Sequence, residues 1–281
     1  MFACLPHVDR SRNRLRGSRR SVKDAPVTNP EQNRPTALIT GVGRTVGIGA
    51  GIAARLAATG WNIAFTYWTP YDDRMTWGAE EGATEAITKI LTGYGAAVTA
   101  IEADLADPAA PATVYDEAEH RLGPVTALVM CHAESVDSGL LDTTVESFDR
   151  HFAVNTRASW LLIREHGRRY HGRHGDGRVI ALTSDHTVGN LPYGASKGAL
   201  DRITRAAAHE LAHLGISCNV INPGPIDTGW MSDEGRDLLL RQTPLGRLGT
   251  PRDTADLVAF LCSPEGQWIN GQLLHSNGGF A

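Results

Sequence analysis

Tyr193 and Lys197 stand four residues apart in Tyr193-Gly194-Ala195-Ser196-Lys197. Positions i and i+4 share one face of a helix, so a phenol and an ammonium there can point into one cleft. A nearby ammonium favours the phenolate and draws a tyrosine pKa from about 10 towards neutrality. That makes an acid/base poised for proton transfer. The chain has 27 Lys+Arg, of which only Lys23, Lys89 and Lys197 are lysines. A compact ammonium suits this task, and Lys197 stands where it is needed. Taken alone, Tyr-x3-Lys is a common spacing, and its plain alternative is an exposed helix pair.

A second group of residues could hold phosphate. Thr40-Gly41-Val42-Gly43-Arg44-Thr45-Val46-Gly47-Ile48-Gly49 follows an apolar run and opens a helical pattern. Glycines there let the backbone turn tightly and approach a pyrophosphate held at a helix N-terminus. A strict GxGxxG reading fails because Val46 occupies the third glycine place, and a Gly-rich turn without a ligand is the plain alternative. The second strand ends in Phe65-Thr66-Tyr67-Trp68, the place that normally meets an adenosine ribose, and carries no acid before Asp72. A carboxylate there would repel a 2′-phosphate, whereas Arg44 would bind one, which favours NADP(H). NAD(H) stays open, because Tyr67 and Trp68 could flank its adenine and Arg44 could face solvent.

These residues need a scaffold, and the pattern from Thr36 onwards supplies one. Short buried strands read at 37–40, 62–67, 97–102, 127–130, 179–182, 218–221 and 272–275. Helical stretches read at 48–58, 80–91, 112–122, 145–169 and 196–214. Strands alternating with helices mean right-handed βαβ units and an α/β fold: one doubly wound domain with a seven-stranded, mostly parallel sheet. Such sheets bind ligands beyond the carboxyl ends of their strands. Residues 230–247 are expected to form a lid, with Trp230, Met231 and 238–240 as apolar contacts.

The region 36–281 resembles the short-chain dehydrogenase/reductase family, in its 3-oxoacyl-reductase-like branch. The likeness rests on Gly41, Gly47 and Gly49, Asp104-Leu105, Asn155, Ser184, Tyr193 with Lys197, Asn222-Pro223-Gly224-Pro225-Ile226-Asp227-Thr228, and the last strand and tail, Gln272 to Phe280. It implies a Rossmann-type fold and hydride exchange between NADP(H) or NAD(H) and a carbonyl or secondary alcohol. Tyr193 would exchange a proton with the substrate oxygen, and Ser184 would hydrogen-bond that oxygen. Lys197 would hold the nicotinamide ribose, and Asn155 would anchor a water in a proton relay. Gly41, Arg44, Gly47, Ile48 and Gly49 would hold the pyrophosphate end, Asp104 and Leu105 the adenine, and Pro223, Gly224, Ile226 and Thr228 the nicotinamide. A homodimer or homotetramer through the long helices is implied as well.

Three departures from the family pattern stand out. The glycine turn holds five residues between Gly41 and Gly47 where the family usually has three. The Asn-Asn-Ala-Gly that braces the family's central sheet falls on Met130-Cys131-His132-Ala133. Ser184 and Tyr193 are nine apart, about four fewer than usual, which implies a more open substrate end where Asp185 or His186 replace lost contacts.

Two other functions compete. His209-Glu210-Leu211-Ala212-His213 matches the zinc-peptidase signature HExxH, but the third ligand such a site needs is missing from the residues that follow; Glu234 lies beyond a Pro-Gly turn. A dinucleotide-binding module without turnover is the other, since fold does not guarantee chemistry. Against it stands the full Asn155, Ser184, Tyr193 and Lys197 set; no metal site is expected.

Charge and composition narrow the class further. The 281 residues carry a net charge of −4 and 42% hydrophobic content, ordinary for a soluble globule. Residues 1–35 carry a net +5 and the remainder a net −9. The first 35 residues, Arg- and Ser-rich, read as a disordered basic extension. Their Ser18-Arg19-Arg20 lacks the apolar run that a twin-arginine signal requires. An acidic body argues against nucleic acid as a partner. No apolar run suits a membrane span. Four scattered cysteines without a CxxC pair point to a reducing, cytoplasmic setting.

Overall fold

The structure is a computed structural model and describes residues 34–280. The expected basic extension lies outside the described residues except for Arg34 and Pro35. Arg34 is tied to the body: its guanidinium donates to the carbonyls of Ala57 (2.6 Å) and Tyr94 (3.0 Å).

Seven strands form one sheet: β1 (Thr36–Thr40), β2 (Asn62–Tyr67), β3 (Val98–Glu102), β4 (Val125–Met130), β5 (Gly177–Leu182), β6 (Ile216–Asn222) and β7 (Leu273–His275). Their order is β3-β2-β1-β4-β5-β6-β7, and every pairing is parallel rather than mostly so. The order reverses between β1 and β4, which opens a crevice at the carboxyl ends of those two strands. Parallel strands covered on both faces must be apolar along their whole length, and β1, β5 and β6 are buried at every position.

Successive strand residues point to opposite faces. Ile39, Phe65, Val129 and Ile180 pack beneath α1 (Ile48–Ala58), α3 (Ala83–Gly93) and α9 (Pro251–Cys262). Leu38, Ala64, Leu128 and Val179 pack beneath α4 (Ala110–Leu122), α6 (Ala158–Arg169) and α7 (Leu191–Glu210). Arg169 at the end of α6 holds Asp116 (2.7 Å) and Glu119 (3.2 Å) of α4, locking that layer together. No helix among the described residues is long and apolar enough to cross a membrane.

Several elements differ from the expectation. The long helix over 145–169 is α5 (Val145–His151), a π-helical turn at Phe152–Arg157, and α6. Helix α7 starts at Leu191, because Pro192 in its first turn presets the helical φ, and it stops at Glu210. Between β2 and α3 the chain makes an excursion, residues 68–82, that includes the short α2 (Thr69–Asp73). Helix α8 (Asp233–Gln242) is capped by Ser232, and α9 by a Thr250/Asp253 capping box.

One buried side chain ties the layers behind the crevice. Met130 is the last residue of β4, so the segment entering the crevice is Cys131 to Glu134, one residue later than the spacing implied. The His132 ring is buried; Nε2 lies 3.1 Å from the Val154 carbonyl of the π-helical turn and Nδ1 2.6 Å from the Thr40 hydroxyl at the end of β1. A carbonyl only accepts, so Nε2 carries the proton and the Thr40 hydroxyl donates to Nδ1. Burial, with Lys197 nearby, pushes the ring down to about 3, and the imidazole is neutral. His132 therefore bridges sheet and helix where asparagines were expected to do so. His132→Ala leaves a buried carbonyl without its donor and opens a cavity. Urea unfolding of that variant is expected to show a loss of about 2–4 kcal/mol.

Candidate active site

A cleft of about 890 Å3 runs across the carboxyl ends of the strands. It is lined by Gly41, Arg44, Gly47, Ile48, Gly49, Asp104, Leu105, Ser184, Tyr193, Lys197, Pro223, Gly224, Ile226 and Thr228, so the structure gathers every expected site residue but one. The exception is Asn155.

At one end the chain leaves β1 through the glycine turn. Gly41 has φ 74°, and a Cβ there would lie 2.6 Å from the His132 backbone, so no other residue fits. The longer loop from Gly41 to Gly47 is pinned from outside: Glu80 accepts from the Thr45 amide (2.8 Å) and hydroxyl (2.6 Å). Gly47 then caps α1 without a side-chain bond, and no acid stands in the first turn. The first amides of α1 are thus uncapped donors facing an anion-binding position.

The 68–82 excursion folds over this turn as a strap. The Arg44 guanidinium lies 5.1 Å from the Trp77 ring centroid. Trp77 stacks on Trp230 from the opposite rim, with centroids 5.0 Å apart and planes at 12°. Asp72 accepts from the Trp77 indole N–H at 2.9 Å. Arg74 pairs with the buried carboxylate of Glu134. Arg150 reaches both Glu134 and Asp104, each at 3.4 Å. Sequence reasoning missed Glu134, Arg74, Arg150 and Trp77; for Glu134 the only available signal was its place just past the end of β4.

At the other end stand Ser184, after β5, and Tyr193 and Lys197, in the first two turns of α7. Lys197 is 97% buried, and its ammonium donates to the carbonyls of Leu182 (3.0 Å) and His132 (3.3 Å). It lies 5.8 Å from the Tyr193 ring centroid. Burial pulls Lys197 down to about 8. Burial also pushes the Tyr193 phenol up to about 12, against a lowering by its hydrogen bond with Ser184. The expected drop of the tyrosine towards neutrality is therefore not supplied by Lys197 in this protein environment. Desolvation outweighs the Ser184 hydrogen bond, and Tyr193 holds its proton at neutral pH.

Asn155 sits in the π-helical turn, fully buried behind the cleft. Its Nδ2 donates to the Glu134 carbonyl (2.8 Å) and Ser196 hydroxyl (2.9 Å), and its Oδ1 accepts from the Glu134 amide (2.8 Å). Its own carbonyl accepts from Ser159. Those bonds clamp the backbone of Glu134 and the start of α7; the side chain spends its hydrogen bonds on protein groups, not on the cleft.

The HExxH stretch straddles the end of α7. His213 lies in a short 3-10 turn with Nδ1 on the Glu210 carbonyl at 2.9 Å, so the two imidazoles do not share a helical face. Among the described residues no group of three His, Cys, Asp or Glu side chains could hold a metal ion.

Comparisons with known proteins agree with this geometry. A family model described as enoyl-(acyl carrier protein) reductase matches residues 41–281. An uncharacterized oxidoreductase of Bacillus subtilis (strain 168) is 38% identical over 249 residues, which cover 87% of this chain and 96% of the relative. A chloroplastic protein of Arabidopsis thaliana, named as NADPH-dependent aldehyde reductase-like, is 33% identical over 259 residues, covering 87% of this chain and 93% of its own. The solved structure of a short chain dehydrogenase from Burkholderia cenocepacia J2315 in complex with NADP superposes with a TM-score of 0.78 at 32% identity, covering 89% of this chain and 99% of that one. With the glycine turn, the Ser184, Tyr193 and Lys197 cluster and these matches in agreement, the chain belongs to the short-chain dehydrogenase/reductase family.

Proposed function

We propose that this chain is an NADP(H)-dependent oxidoreductase that reduces the carbonyl of a small molecule to an alcohol. The observation that carries this reading is the cleft itself. Its one end holds the uncapped N-terminus of α1 behind a glycine turn, and its other end gathers Ser184, Tyr193 and Lys197. The relatives named above as NADPH-dependent, or solved with NADP, support the choice of cofactor.

The residues present fit a dinucleotide. The first turn of α1 offers its amides with no acid in it, and Arg44 stands in the glycine turn; the acids that approach, Asp72 and Glu80, come from the strap, and Glu80 is bound to Thr45. Gly41, Gly47, Ile48 and Gly49 would hold the pyrophosphate. Asp104 and Leu105 would border the adenine, and Pro223, Gly224, Ile226 and Thr228 the nicotinamide. When bound, the nicotinamide supplies the hydride. Tyr193, protonated at neutral pH, gives its proton to the substrate oxygen as charge develops there. Ser184 donates a hydrogen bond to the same oxygen. Lys197 holds a positive charge behind the phenol and stabilises the tyrosinate left after transfer. Asn155 is a positioning residue that acts through Glu134 and Ser196. A phenol kept in its acid form favours the reductive direction.

Pairing of copies through α5, α6 and α7 is part of the same reading. Phe148 and Phe152 stack on each other, and Trp160 is 48% exposed on that side. The three free cysteines among the described residues support a cytoplasmic, reducing setting.

Tyr193→Phe removes the proton donor and keeps the cleft. Steady-state kinetics are expected to show kcat for carbonyl reduction lower by about 10²–10⁴, with NADPH binding unchanged in a fluorescence titration. Arg44→Ala removes a charge-assisted contact. It should raise the KM for NADPH about 10–100-fold while leaving that for NADH within a factor of about two. The pH profile follows from the two shifts. Reduction should be level from pH 6 to 7.5, since Tyr193 keeps its proton until about 12. It should fall above about 8 as Lys197 loses its charge. Initial rates that climb through neutral pH would contradict the assignment.

A further inference from the structure

The arginines and the lysine that line the cleft are unevenly placed. Arg44 lies at the glycine turn, Arg150 between Asp104 and Glu134, and the Lys197 ammonium on the back wall against two backbone carbonyls. Beyond Ser184 no arginine or lysine other than Lys197 lines the cleft, whose wall instead carries Asp137 and Asp185 beside apolar Met231 and Leu238. His186 is the one basic side chain there.

Asp185 follows Ser184 directly, and its carboxylate is held in place. Its Oδ2 accepts from Asn222 Nδ2 at 2.5 Å, and Asn222 Oδ1 accepts the Gly224 amide at 3.1 Å. The His186 amide donates to Ser184 Oγ at 3.1 Å and fixes the same turn. The carboxylate thus bridges the turn bearing Ser184 and the turn bearing Pro223 and Gly224. Among the described residues no donor reaches its Oδ1, which is left to accept from a ligand.

A substrate oxygen between Ser184 and Tyr193 brings the substituent next to the carbonyl towards this carboxylate. A carboxylate or phosphate on that carbon meets a like charge, while the Lys197 ammonium behind the phenol is engaged by the Leu182 and His132 carbonyls. A hydroxyl or ammonium finds an acceptor fixed in position. We propose that Asp185 is a specificity-determining residue. It admits uncharged or cationic carbonyl compounds that carry a hydrogen-bond donor beside the carbonyl, hydroxyketones foremost, and rejects 2-oxo acids. This rests on the reductase reading above and deepens it.

Asp185→Asn is the informative variant, because its amide oxygen still accepts from Asn222 while the charge is gone. Hydroxyacetone and pyruvate, three carbons each, are compared in two ways: by kcat/KM with NADPH, and by calorimetric titration into protein loaded with NADP+. Wild type is expected to favour hydroxyacetone at least tenfold in both. In Asp185→Asn the ratio should narrow at least tenfold, through the KM and Kd of pyruvate, with the KM for NADPH unmoved. A titration that keeps this discrimination without turnover of either compound supports the role of Asp185 and counts against the reductase reading alone. Equal binding of the two compounds by wild type, failure of hydroxyacetone to bind, or an unchanged ratio in the variant overturns the proposal.

Discussion

The imidazole of His132 sits where three parts of the molecule meet, and each part uses a different piece of the residue. The ring joins Thr40 of β1 to the Val154 carbonyl of the π-helical turn. The carbonyl of the same residue receives the Lys197 ammonium. Its backbone lies so close to Gly41 that no side chain fits there. The glycine turn, Lys197 and the helix behind them are therefore registered against one residue. Its neutrality is essential to the arrangement: a protonated ring would place a second cation beside Lys197 and would offer the Thr40 oxygen a donor instead of an acceptor.

A second constraint works from the opposite wall. Glu134 has its carboxylate buried, a costly placement unless guanidinium groups compensate, and Arg74 and Arg150 do so. Asn155 clamps its backbone in both directions. The tips of β3 and β4, the strap over the glycine turn and the π-helical turn are joined through this residue. With Trp77 and Trp230 stacked across the top, the glycine-turn end of the cleft is roofed, while the other end is bordered by the short loop after Ser184.

The sheet was legible because strands covered on both faces must be apolar throughout, and because each apolar run is closed by glycine or a helical pattern. Gly41 was legible from its place after a strand and Tyr193 and Lys197 from their helical spacing, whereas Ser184 and Gly224 came only from the family resemblance; all five line one cleft. Properties set by three-dimensional surroundings were not legible. The Tyr193 phenol is governed by burial rather than by the ammonium four residues away. Glu134 acquires meaning through Arg74, which lies 60 residues earlier, and through Arg150. The strap has no periodicity to betray it. The bonds of Asn155 to Glu134 and Ser196 are made from a turn wider than the 3.6-residue repeat on which helix patterns are judged. The start of α7 and the capping box of α9 were written in Pro192, Thr250 and Asp253, and were open to a closer reading.

The π-helical turn also says something about how this segment can vary. It holds one more residue per turn than its flanks, and each residue of an α-helix advances the rotation by about 100°. Deleting one residue between Phe152 and Arg157 would let the turn relax to an ordinary helix. Everything on one side would then be turned by that angle relative to the other. Val154 would leave His132, and Asn155 would leave Glu134, although no side chain had been altered. Residue identities in this stretch are negotiable to different degrees; its length is not.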